Sequence, residues 1–309
     1  MNARWQVTGT KRGTTRFPSY DAAVLGFEDY WYPVLREADL GRAQLSLMLF
    51  GQRIMFYRDQ GHVYAVHDRC PHRGVSLEFG MAELAGLRCA YHGWLFDPTG
   101  QCREQPGELD GRDFSQKVRI KAYPVQAFAG LAWAYLGPQP APLLPRYDLF
   151  VSEQYERTIG ITRALPANWF QTMENSLDPL HLEHLHGHYY NYVLKRRGRP
   201  PAAVVKRHLR IGFDTFEYGI IKRRILEGQT EASDEWKIGH PILFPNILSV
   251  GDVALPEFHI RVPIDDEHTQ YYWYRCKMRD PDAPVQATIP HWENPYRDAD
   301  GHLIVDTIN

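Results

Sequence analysis

Between Leu45 and Leu136 the hydrophobic positions fall in short runs rich in β-branched and aromatic residues, separated by turn-forming residues. The stretch RIMFYRDQGHVYAVHD (53–68) reads as two strands joined at a tight Asp-Gln-Gly turn, and FAGLAWAYLG (128–137) as a further strand pair or strand end. This pattern predicts a small all-β domain. It is followed by GPQPAPLLP (137–145), whose four prolines lack a backbone donor and fix φ, so neither a helix nor a central strand can run through it. A domain boundary is expected there. The next segment, NWFQTMENSLDPLHLEHLH (168–186), has helical composition at both ends and is interrupted by Pro179, which suits a first helical turn capped by Asp178 or Ser176. Beyond it RIGFDTFEYGIIKRRIL (210–226), FPNILSVG (244–251), EFHIRVPI (257–264) and TQYYWYRCKM (269–278) alternate well enough to form one antiparallel sheet with an inner and an outer face.

At 309 residues the chain has room for two domains, each burying its own core. Its 23% charged and 44% hydrophobic residues are globular values, and a formal net charge of -2 offers no basic field for nucleic acid or an anionic membrane. LSLMLF (45–50), the longest strongly apolar stretch, is far too short to span a bilayer, and the basic N-terminal segment lacks the apolar core of a secretory signal. No membrane contact is expected, and residues 1–27 read as an arm. Four cysteines make no disulfide framework in a chain of this length. That fits a reducing cytoplasm and favours metal ligation over bridging for any special cysteine.

Two Cys-His pairs stand out: Cys70 with His72 in CPHRG, and Cys89 with His92 in CAYHGW, sixteen residues separating His72 from Cys89. Thiolate and imidazole suit a tetrahedral zinc and a 2Fe-2S cluster alike, so spacing alone leaves both open. The flanks are more specific. CPHRG and CAYHGW, with Gly74, Gly93 and Trp94, resemble the two loops of the Rieske family, C-P-H-R-G and C-x-Y-H-G-W. The resemblance implies a 2Fe-2S cluster whose thiolates bind one iron and whose imidazoles bind the other, raising its potential above that of all-cysteine clusters. Cys102 and Cys276 have no metal-like neighbours and read as small apolar residues.

A second group, Asp178, His181, His184, His186 and His188, crowds into eleven positions. A mononuclear iron that binds O2 needs two neutral imidazoles and a carboxylate on one face. Helix geometry pairs His181 with His184 or His188, because residues three, four or seven apart share a face. The segment also resembles the iron motif of the Rieske oxygenases, E-N-x-x-D-x-x-H-x-x-x-x-H, which falls on Glu174, Asn175, Asp178, His181 and His186. That resemblance implies His181 and His186 as ligands of a mononuclear Fe(II), on a helix widened or ended near Gly187 by a π-type turn. His184 stays in reserve. By the same resemblance Asp178 binds no metal but holds the outer ring nitrogen of His181 and reaches a cluster-ligand histidine, His92, of a neighbouring subunit. Asn175 falls where the family places an amide near the iron.

The likeness extends to RVPIDDEHT (261–269), which resembles the later sheet of phthalate-type oxygenases. It implies an α+β fold: an all-β Rieske 2Fe-2S domain over 28–145, then a helix-grip, START-like catalytic domain over 146–309. It implies a homotrimeric terminal oxygenase that takes electrons from a separate reductase, with or without a ferredoxin. Its aromatic substrate would be hydroxylated by mono- or dioxygenation, or O- or N-demethylated. Two rivals remain, a Rieske electron carrier and a hydrophobic-ligand-binding module, and neither needs the histidine–carboxylate group. The inner face of FPNILSV and EFHIRV is expected to line the pocket with apolar side chains. A facial iron site also needs a late carboxylate, which the family supplies in a Gln-Asp pair; no such pair follows the iron motif here. A chain truncated before that ligand is expected, with Asp306 the nearest in-chain aspartate and Asp298 and Asp300 the other late ones.

Overall fold

The computed structural model describes residues 27–40, 44–108, 113–252, 254–302 and 304. Residues 1–26 of the expected arm, and Asp306, lie outside the described residues. The first half is all β. It comprises β1 (Trp31–Arg36), β2 (Leu45–Leu49), β3 (Gln52–Asp59), β4 (His62–His67), β5 (Met81–Glu83), β6 (Gly86–Arg88), β7 (Leu95–Phe96), β8 (Cys102–Glu104), β9 (Ala122–Tyr123), β10 (Val125–Phe128) and β11 (Leu131–Tyr135). They form three small sheets, ordered β1-β11-β10, β2-β3-β4-β9 and β5-β6-β7-β8. The β3–β4 hairpin turns at Gln60 and Gly61, both at positive φ (46° and 83°), the conformation whose twist matches two right-twisted strands. The β10–β11 hairpin repeats it at Ala129 and Gly130.

The proline-rich stretch runs as coil from Leu136 to Tyr147 and leads into a single helical turn, Asp148–Val151. The second half is built on one sheet: β12 (Tyr155–Leu165), β13 (His208–Phe216), β14 (Gly219–Leu226), β15 (His240–Leu243), β16 (Ile247–Val250), β17 (Glu257–Pro263), β18 (Thr269–Met278) and β19 (His291–Glu293). The order is β13-β14-β15-β16-β17-β18-β12-β19. One pair departs from the antiparallel expectation: β19 runs parallel to β12, with Gly160 opposite Trp292. Glycine is required there because a Cβ would lie 2.3 Å from the Trp292 ring.

Between β12 and β13 lie α1 (Trp169–Leu177), a π-helical segment (Leu182–Tyr189) and α2 (Tyr190–Arg196). Asn168 caps α1 by accepting the Phe170 amide at 2.9 Å. Trp169 and Met173 of α1 then pack on Ile242 and Leu248 of the sheet.

The proline-rich coil does not divide the apolar interior. Trp133 and Leu131 of the first half, Phe150 of the helical turn, and Phe258 and Tyr274 of the large sheet belong to one core. Phe150 is its keystone, with ring centroids 5.4 Å from Trp133, 5.3 Å from Phe258 and 4.9 Å from Tyr274. Truncating such a side chain loses its transfer free energy and leaves a cavity. Phe150→Ala should lower stability by about 3–5 kcal/mol. Denaturant titration should show this loss in β-region circular dichroism and in tryptophan fluorescence together; a shift in one signal alone would mean the halves unfold separately.

Candidate metal centres and the cavity beside them

Two loops of the β-rich half present the Cys-His pairs. Residues 70–75 follow β4, and residues 89–94 connect β6 to β7. Each closes in the same way: the Gly74 amide donates to the Cys70 carbonyl (2.8 Å) and Gly93 to Cys89 (3.0 Å), while Cys70 and Cys89 donate onward to Val75 (2.9 Å) and Trp94 (2.8 Å). Both glycines sit at positive φ, 73° and 71°, where a side chain would be strained. Behind the first loop, buried Asp68 accepts from Ser46 Oγ (2.6 Å), Ser76 Oγ (2.8 Å) and the Glu78 amide (3.1 Å).

The thiols and imidazoles separate into two pairs. Cys70 and Cys89 are buried against each other on a small core that includes Met55, Leu87 and Phe96. Burial pushes the Cys70 thiol up to about 11, against the pull of the His72 and Arg73 amides. His72 and His92 face each other with ring centroids 4.6 Å apart, and His72 stacks on Trp94 at 4.7 Å. A single tetrahedral zinc would draw its ligand atoms to within about 4 Å of one another. No three of these four side chains converge within 4.8 Å. The donor set fits the wider span of a two-iron cluster, one pair to each metal.

The π-helical segment organises the other histidines. His181 and His186 come together, ring centroids 5.1 Å apart, both half-buried. His184 and His188 form a separate exposed pair at 5.6 Å. The Nδ1 atom of His181 is buried without a hydrogen-bond partner, 3.7 Å from Asp178 Oδ2. Asp178 Oδ1 accepts the Leu180 amide at 2.8 Å. Burial, and then His186, lower the His181 pKa, which keeps the ring neutral as metal ligation requires. Among the described residues no carboxylate completes a three-ligand group with these two rings. The one such group is Asp298, Asp300 and His302, all exposed.

Residues 30–124 match the family model for a Rieske 2Fe-2S domain. The 5,5'-dehydrodivanillate O-demethylase oxygenase subunit of a Sphingobium sp. is 42% identical over 287 residues, covering 90% of this chain and 65% of that protein. The 4beta-methylsterol monooxygenase of Methylococcus capsulatus is 30% identical over 281 residues, 86% of this chain and 72% of that protein. The chain belongs to the Rieske oxygenase family. It spans just under two thirds of the Sphingobium relative's length. The terminal oxygenase of carbazole 1,9a-dioxygenase from Nocardioides aromaticivorans shares the fold, with a TM-score of 0.68 at 21% identity over 86% of this chain and 80% of that one. The β-rich Rieske domain and sheet-dominated second domain are therefore those of this oxygenase family.

In this Rieske oxygenase chain a cavity of about 690 Å³ opens beside His181 and His186, with Asn175 and Asp178 on its wall. Its lining bears out the expected apolar inner face for FPNILSV and corrects it for EFHIRV. Leu248 and Val250 do line it, but from EFHIRV it is His259 and Arg261 that do so. Phe258, Ile260 and Val262 point the other way into the shared core. Alternation along a strand assigns the two sets to opposite faces, and the apolar set went to the larger core. The strict apolar–polar alternation of residues 257–262 carried this signal.

Motif reading also missed a charged group on the wall. Arg224 clasps Glu235 at 2.6 and 3.1 Å, and His240 Nε2 lies 2.7 Å from the same carboxylate. Burial alone would raise the Glu235 pKa, but His240 and Arg224 outweigh it and hold it at about 2. A carboxyl depressed in the folded state contributes stability above its unfolded pKa and loses it as pH falls towards the folded value. Glu235 should thus contribute up to about 3 kcal/mol that disappears between roughly pH 4.5 and 2. Urea titrations across that window should show a flatter pH dependence for Glu235→Gln than for the parent chain; identical slopes would refute the clasp.

Proposed function

We propose that this chain is the core of a terminal oxygenase component. It would use O2 and electrons from a separate reductase, directly or through a ferredoxin, to hydroxylate or demethylate an aromatic substrate in the cavity. The observation that carries this reading is the π-helical segment, which turns His181 and His186 together onto the cavity wall of a chain that also holds a Rieske domain. An electron carrier has no use for such a pair, and neither has a ligand-binding module. The Sphingobium relative, named as an O-demethylase oxygenase subunit, favours demethylation of an aryl ether and a separate electron-supplying component.

Cys70 and Cys89 would hold one cluster iron and His72 and His92 the other, while His181 and His186 would hold a mononuclear Fe(II). When bound, these groups supply single electrons from the cluster and O2 activation at the mononuclear iron. The chain's own residues supply the rest. Asp178 would take the Nδ1 proton of His181 in a hydrogen bond, leaving Nε2 for the metal and fixing the tautomer. Asn175 would line the metal side of the cavity. Both Asp178 and His92 are exposed in the single chain, which suits a trimer in which Asp178 meets the partner subunit's His92. No helix among the described residues is long and apolar enough to cross a membrane, and the four free cysteines suit a reducing cytoplasm.

Asp178→Asn tests these assignments together. The variant should keep its mononuclear iron and the electron-paramagnetic signal of a dithionite-reduced Rieske cluster, yet form product roughly 100-fold more slowly. Loss of the mononuclear iron would make Asp178 a metal ligand instead. A colourless parent protein holding zinc would remove the cluster assignment altogether.

A further inference from the structure

Helix α1 ends where its own backbone cannot close it. The Asp178 amide donates back to the carbonyls of Glu174 and Asn175, at 3.1 and 3.2 Å. Ser176 is next in line, and a continuing helix would serve its carbonyl with an amide three or four residues on. Residue 179 is proline, which has no N–H, and the Leu180 amide is turned to Asp178 Oδ1 at 2.8 Å. The donor comes instead from the sheet. Lys222 of β14 is 6% exposed, and its Nζ donates to the Ser176 carbonyl at 2.6 Å. An ammonium in that place also meets the negative end of the helix dipole.

The two ends of α1 thus meet the sheet differently. Trp169 and Met173 of its first two turns pack on Ile242 and Leu248. Its last turn meets Lys222 between Asn175 and Asp178, which both stand on the cavity wall with His181. The charges facing Lys222 are of both signs: Arg224 from its own strand, Arg261 from β17, Asp178 from the end of α1 and Glu235 from the helical turn Asp234–Lys237. Burial, and then the two arginines, hold its amine down to about 8, which leaves it charged at neutral pH. Taking a charge out of water is costly, and for stability alone an apolar side chain of the same length would serve as well. Such a side chain could not bond the Ser176 carbonyl.

We propose that Lys222 is a positioning residue of the mononuclear metal site: by tying the Ser176 carbonyl to β14 it sets the end of α1, and with it the Asp178 carboxylate that orients His181. The inference rests on the assignment of His181 and His186 as metal ligands proposed above.

Co(II) binding to the purified chain, with its cluster loaded and oxidised and the mononuclear iron removed, tests this without turnover. The titration is followed by the electron-paramagnetic signal of high-spin Co(II), to which the oxidised cluster contributes nothing. Lys222→Met should bind Co(II) about 10-fold or more weakly than the parent, with the signal of the dithionite-reduced Rieske cluster unchanged. Lys222→Arg, which keeps a charged donor of similar reach, should recover most of the affinity. Lys222→Gln, polar but one bond shorter, should show the same loss as the methionine variant and decides the question if that variant does not fold. Parent-like Co(II) affinity in Lys222→Met or Lys222→Gln overturns the role of Lys222 and leaves the metal assignment standing. Weaker Co(II) binding accompanied by a lost Rieske signal and a lowered urea midpoint marks Lys222 as general support for the fold, and overturns the proposal as well. A parent chain that binds no Co(II) overturns the metal assignment and this proposal together.

Discussion

Five residues of regular α-helix turn a side chain about 140° past a full revolution, so His181 and His186 could not share one wall of a cavity in an ordinary helix. The i→i+5 pattern of Leu182–Tyr189 widens the winding and so reduces that offset, because more residues then go into each turn. Such a segment is unfavourable in isolation and must be held by its surroundings. Glu183 does part of this, accepting both the backbone amide (2.8 Å) and Nδ1 (3.0 Å) of His208 at the start of β13. Gly187 does another part, since a Cβ there would come within 3.0 Å of Val205. The Tyr190 amide then bonds back to Leu185 and Gly187 as the chain re-enters α-geometry in α2. The histidine pair is thus a product of helix, strand and loop together.

The same economy governs the two halves of the molecule. The cluster loops rest on their own small core, with Cys70, Cys89 and Trp94 among its members, so their geometry is set within the β-rich half. The cavity rests on the large sheet and α1. What relates one to the other is the aromatic core around Phe150, to which β1, β11, β12, β17 and β18 all contribute. Close packing leaves such an interface few alternative arrangements. On the opposite face of β17 and β18 the cavity sets charged side chains among apolar and aromatic ones. There Glu235 is clasped by Arg224 and His240, and buried Lys222 donates to the Ser176 carbonyl.

Much of this was legible along the chain. The β3–β4 and β10–β11 hairpins follow from alternating apolar residues around Asp-Gln-Gly and Ala-Gly turns, which need only local geometry. Late strands of the large sheet could be read from alternation, as could the helical character around Pro179. The loops CPHRG and CAYHGW carry their chemistry in the motif, because two tight turns with glycine at positive φ suffice to present a cysteine and a histidine each. Strand β12 was not anticipated, nor was the parallel pairing of β19, because both depend on partners more than a hundred residues away.

The sequence by itself determined which residues could do chemistry, and by resemblance the family they serve. It did not determine which histidines meet. Spacing allowed His184 as readily as His186, and only the π-helical winding, held by His208 and Val205 from a distant stretch, brought His181 to His186. Nor did it determine the character of the cavity. The alternation of residues 257–262 offers two faces, and nothing local says which will meet the other domain. Packing against the β-rich half drew Phe258, Ile260 and Val262 into the larger apolar core, because more surface is removed from water there. That choice left His259 and Arg261 facing the cavity.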